Sequence, residues 1–148
     1  MRALVIWLAF SVAAVPAPAP LSFRELLERS TRGLRPSSRL LALDGQRVRL
    51  VGYMAQMEEP PKGGFYLCPA PVLATEGGGG TADLPPDAVL VIVKAARGRQ
   101  LAHISRPVEV TGILQVGTEV DDEGHVSNIR IVLDGPAPPS RTRIRRHS

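Results

Sequence analysis

The sequence predicts a mainly β domain in which five short strands close into a small barrel. Its fourteen glycines and fourteen prolines indicate many turns and little long helix. Two segments alternate apolar and polar residues with a period of two, and each carries a central glycine, Gly52 or Gly112, that allows a sharp bend. Because a curled sheet of few strands must close or expose its edges, this pattern favours closure.

The first residues have the features of an export signal. Residues 1–14 contain Arg2, most of an apolar run that extends to Val15, and small residues at Ala13 and Ala14. This pattern predicts a secretory signal peptide, since the apolar run is too short to span a membrane. We expect cleavage after Ala13 or Ala14 and a periplasmic or secreted protein; retention as an uncleaved anchor is the alternative.

Residues 15–42 are predicted to form a linker and a short N-terminal helix. Ser22 and Glu25 have the spacing of a capping box, and two leucines follow them. We therefore expect a helix over residues 23–29 and a second, brief helical turn over residues 38–41.

Residues 43–134 are predicted to form the β domain. The first and fourth strands alternate in polarity, and the third is a continuous apolar run, typical of a strand covered on both faces. A long segment rich in proline and glycine, residues 69–86, precedes the third strand. The five predicted strands cover residues 46–54, 65–68, 88–94, 107–116 and 126–133. Five strands are too few for a sandwich, which leaves a partly open barrel of the OB (oligonucleotide/oligosaccharide-binding) type.

The stretch Leu43–Met54 resembles the opening of a group of exported bacterial OB-like domains of unknown function. The resemblance extends to about Leu133 through Phe65–Leu67, Val89–Val93 and Val108–Leu114. It implies an OB-type fold. Relatives in that group often carry Cys-x-x-Cys or Cys-x-His in the loop that corresponds to residues 69–86. This chain has neither motif there, so the resemblance gives no support to the metal or redox role suspected for the group.

The net charge of +4 is concentrated at the termini of the chain. Residues 21–134 hold 13 basic and 14 acidic side chains, whereas the last eight residues contain four arginines: Arg141, Arg143, Arg145 and Arg146. Residues 135–148 are predicted to be a disordered tail rich in proline and arginine. Weak contact with anionic surfaces, or polyanion binding through this tail, is one alternative role.

The residues that could carry chemistry do not form a catalytic pattern. Cys68 has no neighbouring histidine, and His103, His125 and His147 lie in separate segments without a paired spacing. We therefore predict no catalytic residue, no cofactor and no metal site, and a protein that is not an enzyme. A metal-handling periplasmic accessory protein that uses Cys68 and the histidines is the other alternative.

Tyr53, Phe65 and Tyr66 are the candidate binding residues, because they are the aromatic side chains on the relevant strands. Nucleic acid is an unfavourable partner, since the loop before the last strand carries four carboxylates within residues 119–123 that would repel phosphate. We expect a non-enzymatic, exported accessory or binding domain of the cell envelope that engages a protein, a peptide or an envelope component.

Overall fold

The computed structural model describes residues 14–74 and 83–138, together with Ser11 and Thr81. The fold is mainly β, as the sequence predicts. The single α-helix among these residues, α1, covers Ser38–Ala42, and 3₁₀ turns cover Phe23–Glu25 and Lys94–Ala96. The strands are β1 Ala19–Leu21, β2 Leu27–Ser30, β3 Gly33–Pro36, β4 Arg47–Met54, β5 Gln56–Met57, β6 Gly64–Cys68, β7 Leu73–Ala74, β8 Val89–Ile92, β9 Val108–Val120 and β10 Val126–Leu133. No helix within the described part of the chain is long and apolar enough to cross a membrane.

The strands form one large mixed sheet and two small ones. The large sheet has six strands in the order β1-β4-β6-β8-β10-β9, and β4 is also hydrogen-bonded to β9. Two of its pairs, β1–β4 and β8–β10, are parallel, and the other pairs are antiparallel. The two-stranded sheets are the antiparallel hairpin β2–β3 and the short parallel pair β5–β7.

The predicted five-stranded OB-type barrel is wrong, because the large sheet is mixed and contains a sixth strand. That strand, β1, runs parallel to β4 from Ala19 opposite Val48 to Leu21 opposite Leu50. Leu21 is buried and belongs to the main core. A strand of three residues with a proline at its centre has no readable period, so pairing with β4 and burial of Leu21 determine its conformation.

The predicted N-terminal helix over residues 23–29 is also wrong. Its capping contact forms, since the Ser22 N–H donates to Glu25 Oε2 at 2.9 Å, but only one 3₁₀ turn follows. The next residues enter β2 and pair with β3 through a turn closed by Gly33, whose φ of 110° suits glycine. The local capping signal was therefore overridden by strand pairing beyond Leu26.

The main core lies on the inner face of the large sheet. It contains the fully buried side chains Leu26, Leu40, Val48, Leu50, Leu67, Val89, Val91, Val108, Val110, Leu114 and Ile131. A second, smaller cluster lies across β6 and consists of Ala55, Tyr66 and Cys68, packed against Met57, Val72, Leu84, Ala88 and Leu90. Because alternate side chains of β6 enter the two clusters, every residue of this strand is buried.

The conformation of β4 depends on Gly52 for a steric reason. A Cβ atom at this position would lie 2.6 Å from the Phe23 ring and 2.7 Å from the carbonyl oxygen of Cys68. The sequence predicted a bend at this glycine. The structure shows that the absent side chain also lets the N-terminal 3₁₀ turn and β6 approach β4.

Candidate binding cleft

The structure separates the three aromatic residues predicted to bind a ligand. Phe65 packs in the main core, whereas Tyr66 lies in the second cluster on the opposite face of β6. Burial, followed by the negative charge of Asp121, raises the pKa of the Tyr66 phenol. Tyr53 is the only one of the three with a partly exposed side chain. These residues therefore do not form a shared stacking surface.

Tyr53 lines a cleft at the end of β4 with a volume of about 290 Å³. The floor contains the buried side chains of Met54 and Ile104, and Leu73 stands 63% exposed at the rim. The lining is completed by polar and apolar groups from three segments: Gln56, Pro71, Val72, His103 and Ser105. The cleft is thus mostly apolar, with a few polar groups at its edge.

One wall of the cleft is held in place by the small sheet β5–β7. After β4, the Ala55 N–H donates to the Tyr66 carbonyl oxygen at 2.8 Å, and the Gln56 N–H donates to the Val72 carbonyl oxygen at 2.9 Å. The register then places Gln56 opposite Leu73. These hydrogen bonds hold residues 71–74 against the end of β4.

The opposite wall is the coil that precedes β9. His103 Nε2 lies 3.1 Å from the carbonyl oxygen of Met54, and Ile104 is buried in the main core. Because a carbonyl oxygen only accepts hydrogen bonds, the Nε2 atom carries the proton in this contact. The imidazole therefore ties the coil to β4 while its ring lines the cleft.

The segment leading to this wall has a strong positive charge. Lys94, Arg97 and Arg99 lie within it, Arg106 directly follows the wall, and no acidic residue occurs between Asp87 and Glu109. The first three of these basic side chains are exposed. Over residues 21–134 as a whole the basic and acidic charges nearly cancel, so this feature is visible in the sequence only over a shorter window.

Cys68 lies outside the cleft and its thiol is held in the protonated form. Burial, followed by the charge of Asp87, raises its pKa to about 11. A thiol with this pKa carries almost no thiolate at neutral pH, and the thiolate is the reactive form. Within the residues that the structure describes, no group of three or more His, Cys, Asp or Glu side chains is arranged to hold a metal ion.

His125 contributes to the turn between β9 and β10 rather than to the cleft. The main-chain N–H of His125 donates to Asp121 Oδ1 at 2.8 Å, and its ring atom Nδ1 lies 3.0 Å from Asp121 Oδ2. Partial desolvation raises the pKa of Asp121, but the hydrogen bonds from His125 and from the Glu123 N–H outweigh it, and the pKa is lowered. The carboxylate of Asp121 therefore fastens the turn that the sequence predicted here.

The four tail arginines and His147 lie outside the described residues. The proposed contact of Arg141, Arg143, Arg145 and Arg146 with polyanions stays a prediction. The same holds for the signal peptide, of which only Ser11 and Ala14 are described.

Comparison with known proteins shows a structural likeness. No protein-family model and no curated protein sequence matches the chain. A crystal structure of a DUF3299 family protein from Pseudomonas aeruginosa PAO1 is similar to it, with 19% sequence identity and a TM-score of 0.47. The match covers 80% of this chain and 94% of that protein. No functional conclusion follows from a likeness of this size.

Proposed function

We propose that the protein is an exported, non-enzymatic accessory domain that binds a protein, a peptide or an envelope component in the cleft at the end of β4. The composition of this cleft carries the proposal: Met54 and Ile104 form an apolar floor, and Gln56, His103 and Ser105 provide polar groups at the edge. Ligand sites in proteins are typically concave and mostly apolar, with a few polar groups that fix orientation.

The size of the cleft narrows the class of ligand. Sites for drug-sized ligands and cofactors usually have volumes of roughly 300 to 1,000 Å³. At about 290 Å³, the cleft lies just below that range. A single bulky side chain of a partner fits such a volume better than a large cofactor does.

The chemistry of the nearby side chains supports a binding role rather than a catalytic one. A serine nucleophile needs a hydrogen-bonded base. The Nε2 atom of His103 faces the Met54 carbonyl oxygen instead of the hydroxyl of Ser105. The thiol of Cys68 is protonated and buried. Neither residue is arranged for nucleophilic attack.

Export is supported by the sequence of residues 1–14 and is compatible with the position of β1. Val15 is 76% exposed, and the first core residue, Leu21, comes six residues later. Cleavage after Ala13 or Ala14 would therefore leave β1 and its pairing with β4 intact. The intact mass of the protein recovered from the cell envelope tests this part of the proposal. A mass that retains Met1 to Ala13 would contradict cleavage.

Site-specific photo-crosslinking in cells tests the binding role. A photoreactive amino acid replaces Leu73 at the cleft rim, and a matched control replaces Leu34 on β3, which is similarly exposed but does not line the cleft. We expect a discrete crosslinked product from position 73 and none from position 34. Identical patterns from the two positions would contradict binding at the cleft.

A further inference from the structure

The wall of the cleft formed by residues 101–105 is the continuation of a segment with unneutralised positive charge. Lys94, Arg97 and Arg99 are exposed, and none of them forms an ion pair with another described residue. Arg99 donates from its Nη2 atom to the Ala95 carbonyl oxygen at 3.1 Å, which leaves its charge uncompensated. A positive surface therefore lies on the segment that continues into one wall of the apolar cleft.

We infer that the partner is an acidic peptide segment of another protein, with a bulky apolar side chain that enters the cleft and carboxylates that extend from it towards the basic segment. This inference rests on the proposed function. The apolar side chain would contact Tyr53, Val72 and Leu73, and the carboxylates would face Lys94 and Arg97. Charge of this kind at the edge of an interface raises the association rate and selects against basic partners.

The acidic side chains close to this surface do not neutralise it. Gln100 Nε2 donates to the Pro60 carbonyl oxygen at 3.3 Å, which brings the loop containing Glu58 and Glu59 towards the basic segment. Both glutamates are exposed, and neither forms an ion pair with a described residue. They limit the extent of the positive surface on one side, and Lys94 and Arg97 remain available to contact the carboxylates of a partner.

A peptide fits these observations better than nucleic acid or a membrane does. Single-stranded nucleic acid is bound by several stacking aromatic side chains beside a basic groove, but Tyr53 is the one aromatic residue that lines the cleft, and Phe65 and Tyr66 are buried. A membrane surface is bound by apolar side chains that project outward beside basic ones. In this protein the apolar side chains line a concave cleft.

Selection from a random peptide library displayed on phage tests the inference with the protein purified from the cell envelope. We expect selected peptides that combine a bulky apolar residue with Asp or Glu residues on one side of it. Binding of a selected peptide should weaken about tenfold in K94E/R97E, since two exposed attractive charge pairs become repulsive ones. It should also weaken as the salt concentration rises.

The double variant R29E/R32E is the matched control. It changes the net charge by the same amount on the β2 strand and its turn, where both arginines are exposed. We expect its affinity for the selected peptide to stay within about twofold of the unchanged protein. Thermal melting of both variants should match that of the unchanged protein, because none of the four side chains is buried or ion-paired within the described chain.

The outcomes separate the inference from the proposed function. Peptides that bind the cleft without acidic residues, and with equal affinity for K94E/R97E, would overturn the acidic partner and leave cleft binding intact. Tighter binding of an oligothymidylate strand or of phosphatidylglycerol vesicles than of any selected peptide would also overturn it. If the Leu73→Glu change at the rim weakens the binding of none of the selected peptides, the proposed cleft function itself fails.

Discussion

Replacement of Arg130 by methionine tests the most unusual polar feature of the fold. Arg130 lies on β10 and its side chain is only 4% exposed. Its Nη1 atom donates to the carbonyl oxygens of Gly117 at 2.8 Å and Ser127 at 3.0 Å, and to Ser127 Oγ at 3.1 Å. The guanidinium thus fastens the irregular register of β10 against β9 between Ser127 and Ile129.

The expected loss in the free energy of unfolding follows from these contacts. Methionine fills much of the same volume but leaves the Ser127 carbonyl oxygen and hydroxyl without their donor. An unsatisfied buried polar group costs about 1–3 kcal/mol. Since Gly117 is exposed and water can replace the lost donor there, we expect a total loss of about 2–4 kcal/mol in the free energy of unfolding.

Urea denaturation, followed by circular dichroism, measures this loss, with Glu119→Gln as the control. Arg130 Nε lies 3.1 Å from Glu119 Oε2, but the glutamate side chain is 64% exposed, so the ion pair contributes little. The control should therefore lose less than about 1 kcal/mol. If Arg130→Met cost no more than Glu119→Gln, the hydrogen bonds to Ser127 would not stabilise the fold as we argue.

Three other predictions concern a buried core side chain, a glycine in close contact with β10 and a buried thiol. Leu50→Asp places a carboxylate in the core and should cost several kcal/mol, whereas Arg49→Ala on the exposed face should stay within about 0.5 kcal/mol; urea melts compare the two. Gly112→Ala should destabilise the fold strongly, because the new Cβ atom would collide with the main chain of β10. Gly135→Ala is the control, since its new Cβ atom would meet no atom within 4 Å. Equal melting temperatures of the two variants would contradict the close approach at Gly112. Cys68, with its pKa raised to about 11, should react with a thiol reagent at pH 8 only after unfolding, so rapid labelling of the native protein would show that burial is not maintained.

The alternation of polarity was a reliable guide to β4 and β9. Leu50 and Val110 are buried opposite each other, and Arg49 and Glu109 are exposed, as the period of two predicts. The same rule failed for Arg130. Its neighbours Ile129 and Ile131 are buried as expected, but Arg130 is buried as well, and its guanidinium donates to main-chain oxygens of Gly117 and Ser127, a contact that no local pattern encodes.

The pairing of the N-terminal segments and the burial of the aromatic side chains depend on contacts distant in sequence. Strand β1 forms because Leu21 reaches the core beside β4, and no pattern in residues 19–21 reveals that. Tyr66 was a candidate for binding because it is an aromatic side chain on a predicted strand, and strands of antiparallel sheets often expose one face. In this fold Val72 and Leu84, from the segment predicted as a long loop, pack against that face.

The cleft at the end of β4 was only partly predictable. Tyr53 was identified from the sequence, but no pattern places the coil around His103 beside β4, and residues 69–86 gave no indication that Leu73 pairs beside Gln56. Both walls are held by hydrogen bonds between segments far apart in the chain, such as the contact of His103 with the Met54 carbonyl oxygen. Sequence periodicity carries no information about such contacts.

The central claim, that the cleft is the binding site, is tested most directly by titrating isotopically labelled protein with the tightest selected peptide and recording amide chemical shifts. The account predicts that the largest changes occur at Tyr53, Leu73 and His103, which line the cleft. Changes confined to the exposed outer face of β4 and β9, at Val51 and Ile113, with none at the cleft, would contradict it.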